Sequence, residues 1–279
     1  MISPSILERT KRALVEAGLK PSKRLGQNFV VDQSLIDCML DAAELSGADT
    51  VLEVGAGIGT LTWAIAGRAG RVIAMEKDAA AAEYLGRGAP GNVEVLNCDA
   101  LEAEMPAVDK VVSNLPYSIS TPLTFRLLSQ GRFRLAVLTY QKEVADRMVA
   151  GPGGPEYSRL SVACQLRAEV EVVGTFPESA FFPAPKVESA VVRMRPRQGA
   201  MDDQRWAWME DTLKAMFSQR KRTLRKALGT YCKIKRIGAP HLPGIGEELM
   251  SRRVFELSPR DFMSIAEELS RIEGNRLGV

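Results

Sequence analysis

Apolar positions along the chain gather into short runs that alternate with stretches of helical spacing. The run TVLEV (Thr50–Val54) leads into a glycine-rich turn and a helical pattern from Thr60. RVIAM ends at Glu76 before an alanine-rich helical stretch, and VEVLN leads to Asp99. The alternation continues through DKVVS, a helical pattern from Thr121, RLAVLTY and a helical pattern from Gln141. Strand-like runs follow near 169–175 and 189–194. Strands that are apolar throughout need cover on both faces, and interleaved helices supply it. The pattern therefore predicts a doubly wound α/β domain built on a parallel sheet.

The alternation stops at RPRQGAMDDQ, residues 195–204. Beyond it Trp206, Met209, Leu213, Met216 and Phe217 recur at helical spacing, RKRTLRKAL follows, and SPRDFMSIAEELSRI carries Ser258 as an N-cap. This predicts two domains, 1–197 and a small all-helical 198–279. A chain of 279 residues, 46% hydrophobic and 25% charged, can bury a substantial core. No apolar run approaches the ~18 residues that span a bilayer, and the first residues lack the apolar core of a secretory signal. The expected setting is the cytoplasm, away from membranes. A monomer is expected too, because no heptad pattern is present.

Candidate chemistry is narrowed by what is scarce. Cys38, Cys98, Cys164 and Cys232 have no paired spacing, so neither a metal cluster nor a disulfide framework is expected. His241 is the sole histidine and sits in a Pro/Gly-flanked turn, which excludes a two-histidine metal site and argues against a histidine base. Net charge is only +3, yet residues 214–236 hold nine Lys/Arg and no acid, which suits a polyanionic partner.

Three successive strand ends carry a glycine loop and two acids. In VLEVGAGIGTLT, Glu53, Gly55, Gly57 and Gly59 stand where a backbone turns sharply and approaches a ligand, although a tight turn without ligand needs the same glycines. Glu76 ends the second strand, where an acid accepts hydrogen bonds from ribose hydroxyls, or caps the next helix as a solvated group. Asp99 ends the third, facing an adenine amino group or capping the first turn of DALEAE. Together they fit an adenosine moiety, belonging to a dinucleotide or to S-adenosylmethionine.

The fourth strand end, SNLPYSIS, separates those two. An adenine exocyclic amine is a poor nucleophile because its lone pair is delocalised into the ring. It needs acceptors for its hydrogens, which the Asn114 side chain and the Leu115 carbonyl would supply. Pro116 would fix the loop and Tyr117 would stack on the base. SAFFPAPKVES adds Phe181 and Phe182, either core residues or a second stacking partner for a base drawn out of its stack.

Taken in order, RLGQNFVVD, LEVGAGIGTLT, MEKD, NCDA, NLPYSISTPL, QKEVADRMVA, YSRLSV, FFPAPKVESAVVR and RKRTLRKAL resemble the ribosomal RNA adenine dimethyltransferases over nearly the whole chain. The resemblance implies a seven-stranded, mostly parallel S-adenosylmethionine-dependent methyltransferase sheet with a helical C-terminal domain that binds RNA. It implies dimethylation of two adjacent adenosines near the 3′ end of small-subunit rRNA, on the small ribosomal subunit or its precursor. It assigns cofactor contacts to Asn28, Val30, Gly55, Gly57, Glu76, Asp99 and Asn114. The target-adenine site falls on Asn114, Leu115, Pro116 and Tyr117, with Phe181 as second stacking partner. RNA phosphates would meet Lys20, Lys23, Arg24, Arg220, Lys221, Arg222 and Arg225, with 220–226 expected along one helix. Ala56, Val30, Cys98 and Glu188 depart from the usual proline, leucine, glycine and aspartate. Three rivals remain: a large-subunit rRNA adenine methyltransferase of the resistance type, an assembly factor without catalysis, and an NAD-dependent dehydrogenase.

Overall fold

Ser5 accepts a hydrogen bond from the Glu8 N–H while Glu8 accepts one from the Ser5 N–H, and this reciprocal cap starts α1 (Ile6–Glu16). After the two-residue β1 (Phe29–Val30), Asp32 caps α2 (Gln33–Ala43) through the N–H groups of Ser34 and Leu35. Neither helix is among the elements expected from the pattern above. The computed structural model describes residues 4–22, 25–130, 132–197, 202–236, 242 and 244–277.

The predicted alternation then appears as β2 (Thr50–Val54), α3 (Thr60–Ala66), β3 (Arg71–Glu76), α4 (Ala79–Gly88), β4 (Val93–Asn97), β5 (Lys110–Ser113), α5 (Ser120–Gln130), β6 (Leu135–Gln141) and α6 (Lys142–Val149). Next come α7 (Arg159–Arg167), β7 (Ala168–Phe176), β8 (Phe181–Phe182) and β9 (Ser189–Pro196). Seven strands form one sheet in the order β4-β3-β2-β5-β6-β9-β7. The pairs from β4 to β6 are parallel and β6–β9 is antiparallel. Val51, Val72, Val112, Val137 and Val191 from five strands join Leu35, Met39 and Ile65 from two helices in one buried cluster. This is the covered sheet that all-apolar strands demand.

Strand order reverses between β2 and β5. The crevice beyond the carboxyl ends of such a pair is where α/β sheets bind ligands. At the opposite end Lys110 and Asp49, both buried, make an ion pair at 2.9 Å. A separate ribbon pairs Phe29 with Phe182 and Val30 with Phe181, tying the N-terminal segment to the FFP motif.

The chain divides into two compact units, 1–145 with 169–196, and 146–168 with 197–279. These units divide at 145/146, 168/169 and 196/197, whereas the sequence pattern placed a single boundary at 197/198. The second unit carries α7 with α8 (Asp203–Phe217), α9 (Leu224–Lys235), α10 (Glu247–Ser251) and α11 (Pro259–Leu277). Ser258 and Asp261 cap α11 reciprocally, in keeping with the N-cap expected at Ser258. Trp206, Leu213, Leu228, Phe262 and Ile265 are buried.

Residues 220–226 do not form one helix, which corrects the expectation. α8 ends at Phe217, α9 begins at Leu224, and Arg220, Lys221 and Arg222 occupy the connection. The reason is a short antiparallel pairing: Leu224 N–H donates to Arg252 O, Val254 N–H to Arg222 O and Phe255 N–H to Arg220 O. Backbone groups used this way are unavailable to a helical ladder.

Candidate functional site

The glycine loop makes room for a ligand in a specific way. Gly55 (φ 74°) and Gly57 (φ 58°) lie in the left-handed region. A Cβ on Gly55 would meet Pro116 Cδ at 2.8 Å, and one on Gly57 would meet Phe29 Cε1 at 2.9 Å. Any side chain would be both strained and obstructed, so these positions require glycine. Because β2 and β5 are neighbours, the loop after β2 and NLPY after β5 touch.

One cavity at this end of the sheet is lined by Asn28, Val30, Glu53, Gly55, Gly57, Glu76, Asp99, Asn114, Leu115 and Pro116, among others. Sequence reasoning placed all of these at the site except Glu53, which it named only as part of the loop. Leu25, Gly26 and Gln27 also line the cavity, and a Cβ on Gly26 would lie 3.2 Å from Ser118 Oγ.

Glu76 is not a solvated helix cap. Its Oε2 accepts from Gly57 N–H and its Oε1 from Asp78 N–H, both at 2.7 Å, while Asp78 itself caps α4. Burial pushes its carboxyl above the usual range, and those N–H groups pull it back. Each oxygen keeps lone-pair capacity for hydroxyl donors. Asp99 stands in a turn: its Oδ1 accepts from Leu101 N–H and its Oδ2 meets Lys77 Nζ at 2.6 Å. The Lys77 ammonium, with the Leu101 N–H, holds its carboxyl below the usual range. Burial, with the Asp99 charge, raises the neighbouring Cys98 thiol.

Glu53 is fully buried, and burial pushes its carboxyl up to about 8, with the nearby Thr62 hydroxyl opposing and the Glu76 charge adding. Glu53 Oε2 and Thr62 Oγ1 nevertheless lack a hydrogen-bond partner of good geometry among the described residues. A glycine cradle, an orphaned acid and two further acids at successive strand ends fit a ligand carrying an adenosine and a cationic group.

Asn114 is oriented from two sides. Its Nδ2 donates to Asn28 O at 2.8 Å, and its Oδ1 accepts from Thr139 Oγ1 at 2.7 Å. Leu115 N–H donates to the same Thr139 hydroxyl at 3.1 Å. Tyr117 and Phe181 do not line the cavity. The Tyr117 hydroxyl is hydrogen-bonded to the buried Ser189 Oγ, and burial raises its pKa. Phe181 is 3% exposed and packs in the core cluster. Phe182 is more open, with Lys11 Nζ 5.3 Å from its ring centroid.

Sequence reasoning missed Lys77, Thr139 and Ser189. Thr139 had a signal, as the one polar position before the end of an otherwise apolar strand; Lys77 had none. Of the cationic set, Lys23, Arg24 and also His241 lie outside the described residues. Arg220 Nη2 reaches the carbonyls of Gly154, Pro155 and Tyr157 at 3.0–3.1 Å, and its guanidinium lies over Phe255. Arg225 pairs with Glu247. Lys221 and Arg222 are exposed. Among the described residues, no three His, Cys, Asp or Glu are grouped to hold a metal, and no helix is long and apolar enough to cross a membrane.

The profile of the ribosomal RNA adenine dimethylase family matches residues 18–271. A probable ribosomal RNA small subunit methyltransferase A of Methanothermobacter thermautotrophicus is 43% identical over 95% of this chain and 97% of its own. That of Thermococcus kodakarensis is 39% identical over 95% of each. Among solved structures, a dimethyladenosine transferase from Plasmodium falciparum superposes with a TM-score of 0.74 at 27% identity, covering 88% of this chain and 98% of that one. The 23S rRNA methyltransferase ErmE gives 0.64 at 27% identity, over 87% and 100%.

Proposed function

The chain belongs to the ribosomal RNA adenine dimethylase family, and on that premise we propose how its cavity serves the family's reaction. The protein is an S-adenosylmethionine-dependent rRNA adenine dimethyltransferase. Its targets are two adjacent adenosines near the 3′ end of small-subunit rRNA, a reading supported by relatives named for the small subunit at 37–43% identity. The large-subunit alternative has a fold neighbour at lower identity.

The observation that carries the site assignment is the fixed Asn114 amide beside the glycine cradle. Glu76 would take the ribose hydroxyls, Asp99 the adenine amino group, and Gly55, Gly57, Asn28 and Val30 the close contacts. When bound, S-adenosylmethionine supplies an already activated methyl group. Asn114 Oδ1 and the Leu115 carbonyl would accept the two hydrogens of the target amine and turn its lone pair toward the methyl. The methyl would pass from the donor sulfur to the amine nitrogen held by Asn114 and Leu115, and the surplus proton on nitrogen would leave to water. No imidazole is required, because orientation and fixed acceptors suffice. For stacking on the extruded base, Phe181 would have to turn out of the core. The protein would act as a monomer in the cytoplasm, without a metal, on the small subunit or its precursor.

The test uses labelled S-adenosylmethionine with unmethylated small subunits, large subunits and naked rRNA, read by nucleoside mass spectrometry. Dimethyladenosine on small-subunit particles is expected; label confined to large subunits would overturn the target. Asn114→Ala is expected to abolish transfer while leaving RNA binding mostly intact. Equal loss of both would make Asn114 structural.

A further inference from the structure

β6 is buried along its length, and its residues Leu135, Ala136, Val137, Leu138 and Tyr140 are core. Thr139 interrupts that run with a hydroxyl that has no access to solvent. A buried hydroxyl must be satisfied internally, and this one is satisfied twice, by two consecutive residues of the NLPY loop. Leu115 N–H can only donate, so it occupies a lone pair of Thr139 Oγ1. The single hydroxyl proton is then free to point at Asn114 Oδ1, which accepts it at 2.7 Å.

The consequence for Asn114 is a fixed choice between two amide orientations. With the side chain flipped, Nδ2 would face the Thr139 hydroxyl and Oδ1 would face Asn28 O, placing two acceptors together. In the observed orientation Asn28 O receives a donor and Thr139 gives one. Leu115 is held by the same atom: its N–H tether restrains the backbone from one side, and the Pro116 ring restrains it from the other. One hydroxyl thus aligns the side-chain oxygen and the residue whose carbonyl together would receive the target amine.

We propose that Thr139 is a positioning residue of the methyl-transfer site, orienting both acceptors of the adenine amine from beneath through its hydroxyl. This rests on the assignment of Asn114 and Leu115 as those acceptors. Thr139 touches neither substrate nor cofactor in this arrangement. Its effect falls on the chemical step, where a misplacement of about 1 Å costs on the order of 100-fold.

The test compares Thr139→Val, which keeps the shape and removes the hydroxyl, with Thr139→Ser, which keeps the hydroxyl. Both are assayed with unmethylated small subunits for kcat and KM, and for S-adenosylmethionine affinity by calorimetry. Thr139→Val should lower kcat about 10- to 100-fold with cofactor affinity and the KM for subunits within about threefold. Thr139→Ser should return kcat to within about threefold of the parent. Should the valine variant fail to fold, Thr139→Cys, of similar size with a weak donor, reads the same step and is expected to lose kcat alone. A kcat within twofold in Thr139→Val would overturn the role. So would a parallel fall of kcat and cofactor affinity in both variants, which marks a purely structural threonine. If Asn114→Ala retains transfer, the underlying site assignment fails; if Asn114→Ala is inactive while Thr139→Val is not, only the role of Thr139 fails.

Discussion

At the scale of single residues, burial and hydrogen bonding separate groups that look alike in the sequence. Glu53, one residue before the end of β2, and Glu76, which ends β3, both lie beside the cradle, but Glu76 has two backbone donors and Glu53 Oε2 has none. A carboxyl raised from 4.5 to about 8 keeps its proton in the folded state after the unfolded chain has released it. Between those pH values the folded state binds more protons, so stability falls as pH rises, by at most about 1.4 kcal/mol per pH unit. Glu53→Gln removes that titration. Its stability relative to the parent should therefore rise steadily from pH 5 to pH 8 and level off above, as read from urea unfolding midpoints at each pH. A gap that does not change with pH would show that Glu53 ionises normally. The acids could be located at the strand ends from the sequence because strand ends are legible. Which acid is satisfied by hydrogen bonds was not legible, because it depends on donors arriving from Gly57 and Asp78.

At the scale of elements, the alternation of apolar runs was enough for the sheet, and the glycine and NLPY loops came together because β2 and β5 are neighbours. The connection between α8 and α9 was not legible. RKRTLRKAL has helical composition throughout, and what breaks it is pairing with 252–255, some thirty residues away. That pairing gives Arg220 a structural role, in which it satisfies three carbonyls of the segment 154–157 and covers Phe255. Arg220→Ala should destabilise the helical unit by on the order of 2 kcal/mol, since hydrogen bonds from a charged donor would be lost together. Lys221→Ala, at an exposed position, should change stability by less than about 0.5 kcal/mol. Thermal unfolding of the two variants decides this; equal melting temperatures would show that Arg220 is dispensable to the fold. Likewise Phe181 reads as a stacking candidate in FFP, yet its pairing with Val30 draws it into the core.

At the scale of the whole molecule, a composition break near 197 marks where strands end, but a linear reading cannot show that 146–168 joins the residues after it. That membership depends on packing partners such as Arg167 against Trp206 and Tyr157 against Phe217. The same separation of units suggests a separation of labour that charge makes measurable. The cavity proposed for the cofactor belongs to one unit, and the cation-rich stretch 214–236 to the other. With Arg220 engaged by carbonyls and Arg225 paired to Glu247, the exposed Lys221 and Arg222 are the better probes of phosphate contact. Each phosphate neutralised releases counterions, so each cation lost should flatten the plot of log affinity against log salt by about 0.7–0.9. The double change Lys221→Ala with Arg222→Ala should therefore weaken binding to small subunits at low salt and reduce the slope by about 1.5. Affinity for S-adenosylmethionine should stay within about twofold, because neither residue lines the cavity. An unchanged slope would remove this connection from the RNA interface. A loss of cofactor affinity of the same size would instead show that the two units report on each other, and the charge effect would then have to be sought through the fold rather than through phosphate contact.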